Sequence, residues 1–332
     1  MRRRLTIERR AYKIRGAFRI ARGAKTVAEQ IIATIEEDAV RGRGACVPYA
    51  RYGESLDRTE MEIERLRLRI EAGLSREELQ SLLPPGAARN ALDCALWDLE
   101  ARRSGTPVWR LAGLQAPKPA TTCYTLSVDT PDAVGEAAVA AKAPLLKMKL
   151  AGDGLDAERI AAASDAAPGA RFVLDANEGL DAAGLDDLLA RLDVARIAMI
   201  EQPLPADADA ALADVRSPAP LCADESFHTA EDIPRLAGLY DAVNIKLDKT
   251  GGLTGAIAAA RATEAAGLRI MIGCMVGSSL AMAPAAHLAP LAAVVDLDGP
   301  LLLAEDDASP IPYAGTLMGA PPPALWGGPS SA

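Results

Sequence analysis

Histidine and cysteine, the residues of many metal sites and catalytic triads, are scarce in this chain of 332 residues. The two histidines, His228 and His287, nearly exclude histidine-based metal or triad chemistry. The five cysteines are scattered, odd in number and form no Cys-x-x-Cys pair. This pattern argues against a disulfide framework or a zinc cluster, and it favours the reducing cytoplasm.

An excess of positive charge is also missing. The chain has 36 Lys and Arg against 45 Asp and Glu, a formal net charge of −9, which argues against nucleic acid or an anionic membrane as a partner. The arginines at 2–4 are followed by further charges rather than by an apolar segment, so no signal peptide is expected. The apolar stretch 278–295 contains Pro284 and Pro290, and we interpret it as a barrel helix rather than a membrane span.

The first 115 residues are predicted to form a mixed α+β domain. A strand-like segment at 4–14 leads into a glycine-bounded stretch at 16–23, which is predicted to be a loop. Helical periodicity of the apolar residues follows, and a Ser-Gly-Thr-Pro sequence ends the last helix. The predicted helices span 61–72, 76–83 and 88–103.

From about residue 120, short apolar runs alternate with alanine-rich helical stretches. Eight runs are predicted strands, and each but the last precedes a helix-like segment, which indicates a closed parallel barrel. We therefore predict an α/β fold: a (β/α)7β TIM-like barrel at 116–318, with an α+β capping domain at 1–115 that a C-terminal tail at 319–332 completes. The predicted strands are 122–128, 145–150, 171–175, 197–201, 221–224, 242–247, 268–274 and 293–297.

Charged residues stand late in six of these strands, and the first five are 22 to 26 residues apart. Charges at the carboxyl ends of barrel strands form the mouth, where barrel enzymes carry their catalytic groups. The six are Lys149, Asp175, Glu201, Asp224, Lys246 and Asp296.

Three of these residues, Asp175, Glu201 and Asp224, are carboxylates that end consecutive strands. Neighbouring strands lie about 4.8 Å apart, so the three are expected to converge and to repel one another. A hard divalent cation with oxygen ligands relieves that repulsion, and we predict a Mg²⁺ site, one ion per chain. The alternative is an exposed rim paired with Lys or Arg.

Three lysines are expected near this predicted site. Lys147 and Lys149 point to the same face of one strand, and their repulsion favours a neutral Lys149 amine that can accept a proton. Lys246 lies on a strand across the barrel. Two bases on opposite sides of one carbon are what racemisation requires, although a lone Lys246 could instead form a salt bridge to a metal ligand.

Asp296 and Asp298 share one face after the last strand. Because the predicted metal already has three ligands, a substrate ammonium is the natural partner of these two carboxylates. Helix capping or a second metal are the alternatives.

Taken together, the Lys-x-Lys pair, the three carboxylates and the late lysine resemble the enolase superfamily, in its muconate lactonising enzyme-like subgroup. The stretch 90–99 is similar to the capping-domain helix of that family. The resemblance implies Lys149 and Lys246 as bases acting on a Mg²⁺-stabilised enediolate. The segment 273–275 has no histidine, which disfavours a mandelate racemase-like site.

Asp-Leu-Asp at 296–298, together with 48–55, 244–252 and 273–275, resembles the dipeptide epimerases, in particular those acting on L-Ala-D/L-Glu. By this resemblance the two aspartates hold the ammonium of a dipeptide, and Lys147 contacts its carboxylate. The resemblance also assigns Thr125 and Cys274 to the substrate lining. For the side-chain carboxylate of the substrate, it favours Arg22 or, alternatively, Lys25.

Other functions remain open at this point. N-acylamino-acid racemases and o-succinylbenzoate synthases of the same subgroup use substrates without a free ammonium, so the two aspartates argue against them. A Schiff-base lyase with Lys246 as its reactive amine belongs to a different enzyme class, and a degenerate barrel would be a binding module. A homo-oligomer is possible, and murein-peptide recycling is implied by the resemblance alone.

Overall fold

A computed structural model describes residues 3–20 and 23–328. The N-terminal part is an antiparallel sheet of order β1-β2-β3, followed by helices that pack on it. These elements are β1 (Arg4–Ile20), β2 (Gly23–Glu37), β3 (Val40–Cys46), α1 (Leu56–Arg65), α2 (Arg67–Glu71), α3 (Arg76–Leu82), α4 (Ala87–Ser104) and α5 (Val108–Leu111).

The long helix α4 is buried over most of its length because it lies between the N-terminal sheet and the barrel. Glycines in β3 allow this contact: a Cβ at Gly42 or Gly44 would collide with the α4 backbone. The helix ends at Gly105, whose φ of 67° suits glycine. The predicted helix at 61–72 is instead two helices, α1 and α2, and α1 starts earlier because the Ser55 side chain accepts from the Arg58 N–H.

The prediction of a loop at 16–23 is wrong for the described part of that stretch. Strand β1 continues to Ile20 and pairs with β2, with Phe18 opposite Lys25 and Ile20 opposite Gly23. This end of the hairpin has no alternation of buried and exposed residues because it projects beyond the sheet's core. This end of the hairpin is therefore held by backbone hydrogen bonds between the two strands. Such bonds leave no periodic pattern in the sequence.

Beyond residue 116, all eight predicted barrel strands are confirmed, in sequential order around one parallel sheet. A bridge between Thr122 and Val295 joins the last strand to the residues before the first and closes the barrel. After β4 (Ala120–Thr121), the barrel strands are β5 (Tyr124–Leu126), β6 (Leu145–Lys149), β7 (Arg171–Asp175), β8 (Ile197–Glu201), β9 (Leu221–Ala223), β10 (Ala242–Ile245), β11 (Arg269–Ile272) and β12 (Val294–Val295).

Helices cover the outside of the barrel, although β8 is followed by a 3₁₀ helix, Asp209–Asp214, rather than by an α-helix. The stretch 278–295 contains a short helix, and among the described residues no helix is both long and apolar enough to cross a membrane. The α-helices of this part of the chain are α6 (Pro131–Ala141), α7 (Asp156–Ala166), α8 (Ala182–Ala190), α9 (Ile233–Leu236), α10 (Leu247–Thr250), α11 (Leu253–Ala265), α12 (Ser279–Ala286) and α13 (Gly299–Leu302).

Apolar side chains fill the inside of the barrel below its carboxyl end. Val173, Met199, Cys222 and Met271 belong to this inner cluster. At the other end, β4 forms a small antiparallel sheet with β13 (Tyr313–Ala314) and β14 (Leu317–Met318). The interior is therefore a packed core, and polar chemistry is confined to the mouth.

Candidate active site

The carboxyl ends of the barrel strands bring the predicted polar residues together. The strand pairing places Lys149 opposite Asp175, and Asp175 opposite Glu201. Asp224 and Lys246 directly follow β9 and β10. The three carboxylates are at most 1% exposed, so their charges must be compensated inside the protein.

Lys147 lies at the centre of this cluster. Its Nζ is 2.7 Å from Glu201 Oε2, 2.7 Å from Asp296 Oδ2 and 3.0 Å from Asp175 Oδ2. Burial disfavours its charge, but the three carboxylates outweigh burial and raise the pKa of Lys147 well above its usual range. Repulsion between Lys147 and Lys149 is therefore a minor effect at Lys147, because carboxylates dominate its surroundings.

Lys149 stands at the edge of the cluster, beneath the hairpin of the N-terminal sheet. Its Nζ donates to Asp175 Oδ2 at 2.5 Å and lies 5.9 Å from the centre of the Phe18 ring. The ammonium of Lys25, on the other strand of the hairpin, lies 5.3 Å from the centre of the Tyr49 ring. The hairpin therefore reaches over the mouth of the barrel. Arg22, the preferred candidate for the substrate side chain, lies outside the described residues.

Lys246 approaches the carboxylates from the opposite side. Its Nζ donates to Asp224 Oδ2 at 2.6 Å and lies 3.9 Å from Glu201 Oε1. Strands β6 and β10 are four positions apart in the eight-stranded barrel, so Lys149 and Lys246 face each other across it.

The two aspartates at 296–298 lie beside β5 and β6. Asp296 Oδ2 accepts from Lys147 Nζ, while Asp298 Oδ2 accepts from the Thr125 backbone N–H at 2.7 Å. Cys274 is partly exposed, and burial raises the pKa of its thiol well above the usual value, with Asp296 and Asp298 adding to the shift. Burial and the neighbouring Asp296 raise the pKa of Asp298 to about 7, while Asp296 itself is paired with the Lys147 ammonium.

The charges of the carboxylate cluster are unevenly balanced. Burial opposes ionisation of Asp175, but Lys147 and Lys149 outweigh it and hold the pKa of that carboxyl well below its usual range. Burial and the neighbouring Asp175 raise the pKa of Glu201 to about 7. Glu201 Oε2 also accepts no hydrogen bond of good geometry, although the ammonium of Lys147 is close to it. A further cation at this carboxylate would relieve the imbalance.

The donor set fits a hard divalent cation, but the side chains are not arranged as a finished coordination shell. In the described part of the chain, no three His, Cys, Asp or Glu side chains form a ready metal-binding group. The reason is that lysine ammoniums occupy the space between the carboxylates. Asp175, Glu201 and Asp224 nevertheless offer oxygen ligands at the ends of adjacent strands, as Mg²⁺ prefers.

Two further residues that contact the carboxylates were not predicted. Lys249 Nζ donates to Asp224 Oδ1 at 2.6 Å, and Asn244 Nδ2 donates to Glu201 Oε1 at 2.8 Å. Asn244 precedes Lys246 by two residues, so strand periodicity could have placed it on the same face. Lys249 lies on α10, and its contact depends on a turn that the sequence does not show.

Both the N-terminal part and the barrel part of the chain match models of known protein families. Residues 2–113 match the mandelate racemase / muconate lactonizing enzyme N-terminal domain, and residues 131–306 match the enolase C-terminal domain-like family.

Two characterised relatives are equally similar to this chain. The L-Ala-D/L-Glu epimerase of Escherichia coli strain K12 is 46% identical over 89% of this chain and 93% of its own length. The N-acetyl-D-glutamate racemase of a Pseudoalteromonas species is 46% identical over 90% of this chain and 95% of its own length.

Solved structures agree with the fold. An enolase family member from Agrobacterium tumefaciens, with homology to dipeptide epimerases and with bound sodium and L-Ala-L-Glu, has a TM-score of 0.95 at 46% identity, covering 98% of this chain and 100% of its own. A dipeptide epimerase from Enterococcus faecalis, complexed with Mg and L-Leu-L-Tyr, has a TM-score of 0.89 at 27% identity, covering 96% and 97%. The chain thus belongs to the mandelate racemase / muconate lactonizing enzyme family of the enolase superfamily.

Proposed function

We propose that this chain is an isomerase that epimerises dipeptides, with L-Ala-D/L-Glu as its substrate. The observation that carries the proposal is the placement of Lys149 and Lys246 on opposite sides of one buried carboxylate cluster. A carbon held between two amines can lose a proton on one face and gain one on the other, which inverts its configuration. The reacting carbon is the α-carbon of the C-terminal residue.

Each lysine has one task in this reaction. Lys149 takes the α-proton of one epimer while Lys246 delivers a proton to the opposite face, and the roles reverse for the other epimer. Lys147, surrounded by carboxylates, stays charged and contacts the substrate carboxylate. The hairpin that carries Phe18 and Lys25 excludes water from the mouth, and Arg22 or Lys25 binds the side-chain carboxylate of the substrate.

We further propose one Mg²⁺ per chain, held by Asp175, Glu201 and Asp224. When bound, the ion supplies positive charge that stabilises the anion left by removal of the α-proton. The same charge would compensate the buried carboxylates.

The preference for a free dipeptide depends on Asp296 and Asp298. These buried carboxylates are close together, Asp296 is paired with Lys147, and a dipeptide ammonium would add positive charge beside Asp298. Thr125 and Cys274 line the same side of the site. N-acylamino-acid racemisation is the second candidate function, and the 46% identity to the N-acetyl-D-glutamate racemase favours it. An N-acetylated substrate brings no ammonium to these aspartates.

N-acetylation of L-Ala-L-Glu is expected to reduce kcat/KM roughly ten- to a hundredfold. A charge-assisted hydrogen bond in a closed site contributes about 1.5–3 kcal/mol, which corresponds to that range. Replacing Asp298 by Asn should cause a similar loss with the free dipeptide. Steady-state kinetics of wild type and variant on both substrates measure the effect.

The acetylated dipeptide is the internal control for Asp298→Asn, because it has no ammonium to lose and its kcat/KM should change little. Efficient turnover of N-acetylglutamate or of an N-succinylamino acid, with the free dipeptide inert, would assign the chain to the N-acylamino-acid racemases instead.

We also propose a cellular location and a pathway for the protein. The five cysteines are free thiols, which supports a cytoplasmic location. Recycling of murein peptides is the proposed pathway, and a homo-oligomer is possible. The division into a capping domain at 1–115, a barrel at 116–318 and a tail at 319–332 stays a prediction.

A further inference from the structure

The residues that follow Lys246 are held by a helix of the capping domain. We call residues 246–254 the lysine segment; it comprises Lys246, all of α10, Gly251, Gly252 and the first two residues of α11. Four side chains of α4 hydrogen-bond to the barrel in the described chain, and all four do so within the lysine segment. They are Arg89, Asn90, Asp93 and Trp97.

The contact nearest to Lys246 is made by Asp248. Its Oδ1 accepts from Asn90 Nδ2 at 2.8 Å and from the Val47 backbone N–H at 3.0 Å. Asn90 is 2% exposed and Asp248 is 8% exposed, so water competes little for these bonds. One carboxylate therefore joins the lysine segment to two separate parts of the capping domain, α4 and the end of β3.

The far end of the lysine segment is held in the same way. Arg89 donates to the carbonyl oxygens of Thr250 at 2.8 Å and Gly251 at 3.2 Å. Asp93 accepts from the Thr254 N–H at 2.9 Å, which caps α11 from another domain, since Gly252 has no side chain to do so.

Helix α10 has four residues and starts on Lys246, whose carbonyl oxygen accepts from the Lys249 and Thr250 N–H groups. A helix this short is not stable by itself, so its orientation depends on its contacts. The orientation of Lys246 is coupled to that helix through its own carbonyl group. Gly251 and Gly252 make the approach possible, because a Cβ there would collide with Arg89 or Asp93.

We propose that Asn90 and Asp248 are positioning residues for Lys246, through which the capping domain orients one of the two proton-transfer lysines. The inference rests on the proposed function, since it requires Lys246 to exchange a proton with the substrate. If the contact served only to dock the two domains, its loss would affect proton transfer on both faces of the α-carbon. A positioning role predicts that its loss impairs proton transfer by Lys246 and spares proton transfer by Lys149.

The test uses two variants. Asn90→Asp places two carboxylates in contact, so that they repel each other. The swapped pair, Asn90→Asp with Asp248→Asn, restores one donor and one acceptor. In D₂O, deuterium uptake with retention of configuration is measured for each epimer of L-Ala-Glu separately. The epimer that no longer exchanges in Lys246→Ala is called the Lys246-side epimer.

For Asn90→Asp we expect epimerisation, and exchange from the Lys246-side epimer, to fall about tenfold or more, because a slight misplacement of a proton-transfer group is costly. Exchange from the other epimer should stay within about twofold of wild type. The swapped pair should restore most of the lost rate. Asp98→Asn is the matched control: Asp98 is a buried carboxylate of α4 that bonds to Arg43, Arg102 and Gly327, and its loss should leave the ratio of the two exchange rates unchanged.

If Asn90→Asp does not fold, Arg89→Lys replaces it in the test. This variant weakens the bonds to the carbonyl oxygens of Thr250 and Gly251 without adding a charge, and it should shift the ratio of the two exchange rates in the same direction. An equal loss of exchange from both epimers, or no recovery of the rate in the swapped pair, would overturn the inference. Absence of exchange from either epimer in the wild-type enzyme would instead overturn the proposed function.

Discussion

Replacing Lys149 or Lys246 by alanine is expected to reduce epimerisation at least about a thousandfold, because general acid–base groups contribute up to about 10⁴-fold and inversion needs both of them. The effect should fall on kcat, since the carboxylate cluster and the two aspartates proposed to bind the substrate remain in place. Stopped assays that separate L-Ala-L-Glu from L-Ala-D-Glu measure the loss in both directions.

The two variants should differ in what they retain. Each should still exchange the α-proton of one epimer with D₂O, without inversion, and the retained epimer should be opposite in the two variants. Lys118→Ala, which removes an exposed lysine that precedes the first barrel strand, is the control and should behave as wild type. If either active-site variant inverts its substrate at the wild-type rate, that lysine does not transfer the proton.

Removing divalent metal with EDTA is expected to abolish activity, and Mg²⁺ or Mn²⁺ should restore it. The physical reason is that the ion supplies the positive charge that stabilises the anion left when the α-proton is removed. Asp175→Asn, Glu201→Gln and Asp224→Asn should each give the same loss, without recovery on addition of metal. Activity assays after dialysis and metal addition are the measurement.

A second measurement separates metal binding from catalysis. Mg²⁺ should raise the Tm of the wild-type protein and of Lys149→Ala, because an ion that binds only the folded state stabilises it. It should have little effect on the Tm of Glu201→Gln. Full activity in a metal-free preparation would contradict the assigned role of the ion.

The barrel and its charged mouth were predictable from the sequence for a simple reason. Buried parallel strands are short apolar runs, and a charge at the end of such a run has few structural explanations. Asp175, Glu201 and Lys246 therefore marked both the ends of their strands and the candidate site. The similar spacing of these residues, 22 to 26 positions, then indicated that they would meet.

Contacts that depend on the packing of distant segments were not predictable. Residues 16–20 were predicted to be part of a loop because backbone hydrogen bonds to β2 hold them in the strand and none of them is buried. A neutral Lys149 was predicted from repulsion by Lys147, although three carboxylates from other strands surround the Lys147 ammonium. The bond between Asn90 and Asp248 joins residues 158 positions apart, and neither residue type signals the other.

The most direct test of the central claim is incubation of the wild-type protein, with Mg²⁺, with L-Ala-L-Glu and separately with L-Ala-D-Glu in D₂O. We predict that each epimer gains one deuteron at the α-carbon of glutamate, and that both incubations converge on the same mixture of epimers. Mass spectrometry detects the deuteron, and chiral separation detects the inversion. Absence of α-deuteration from every free dipeptide tested would contradict the account.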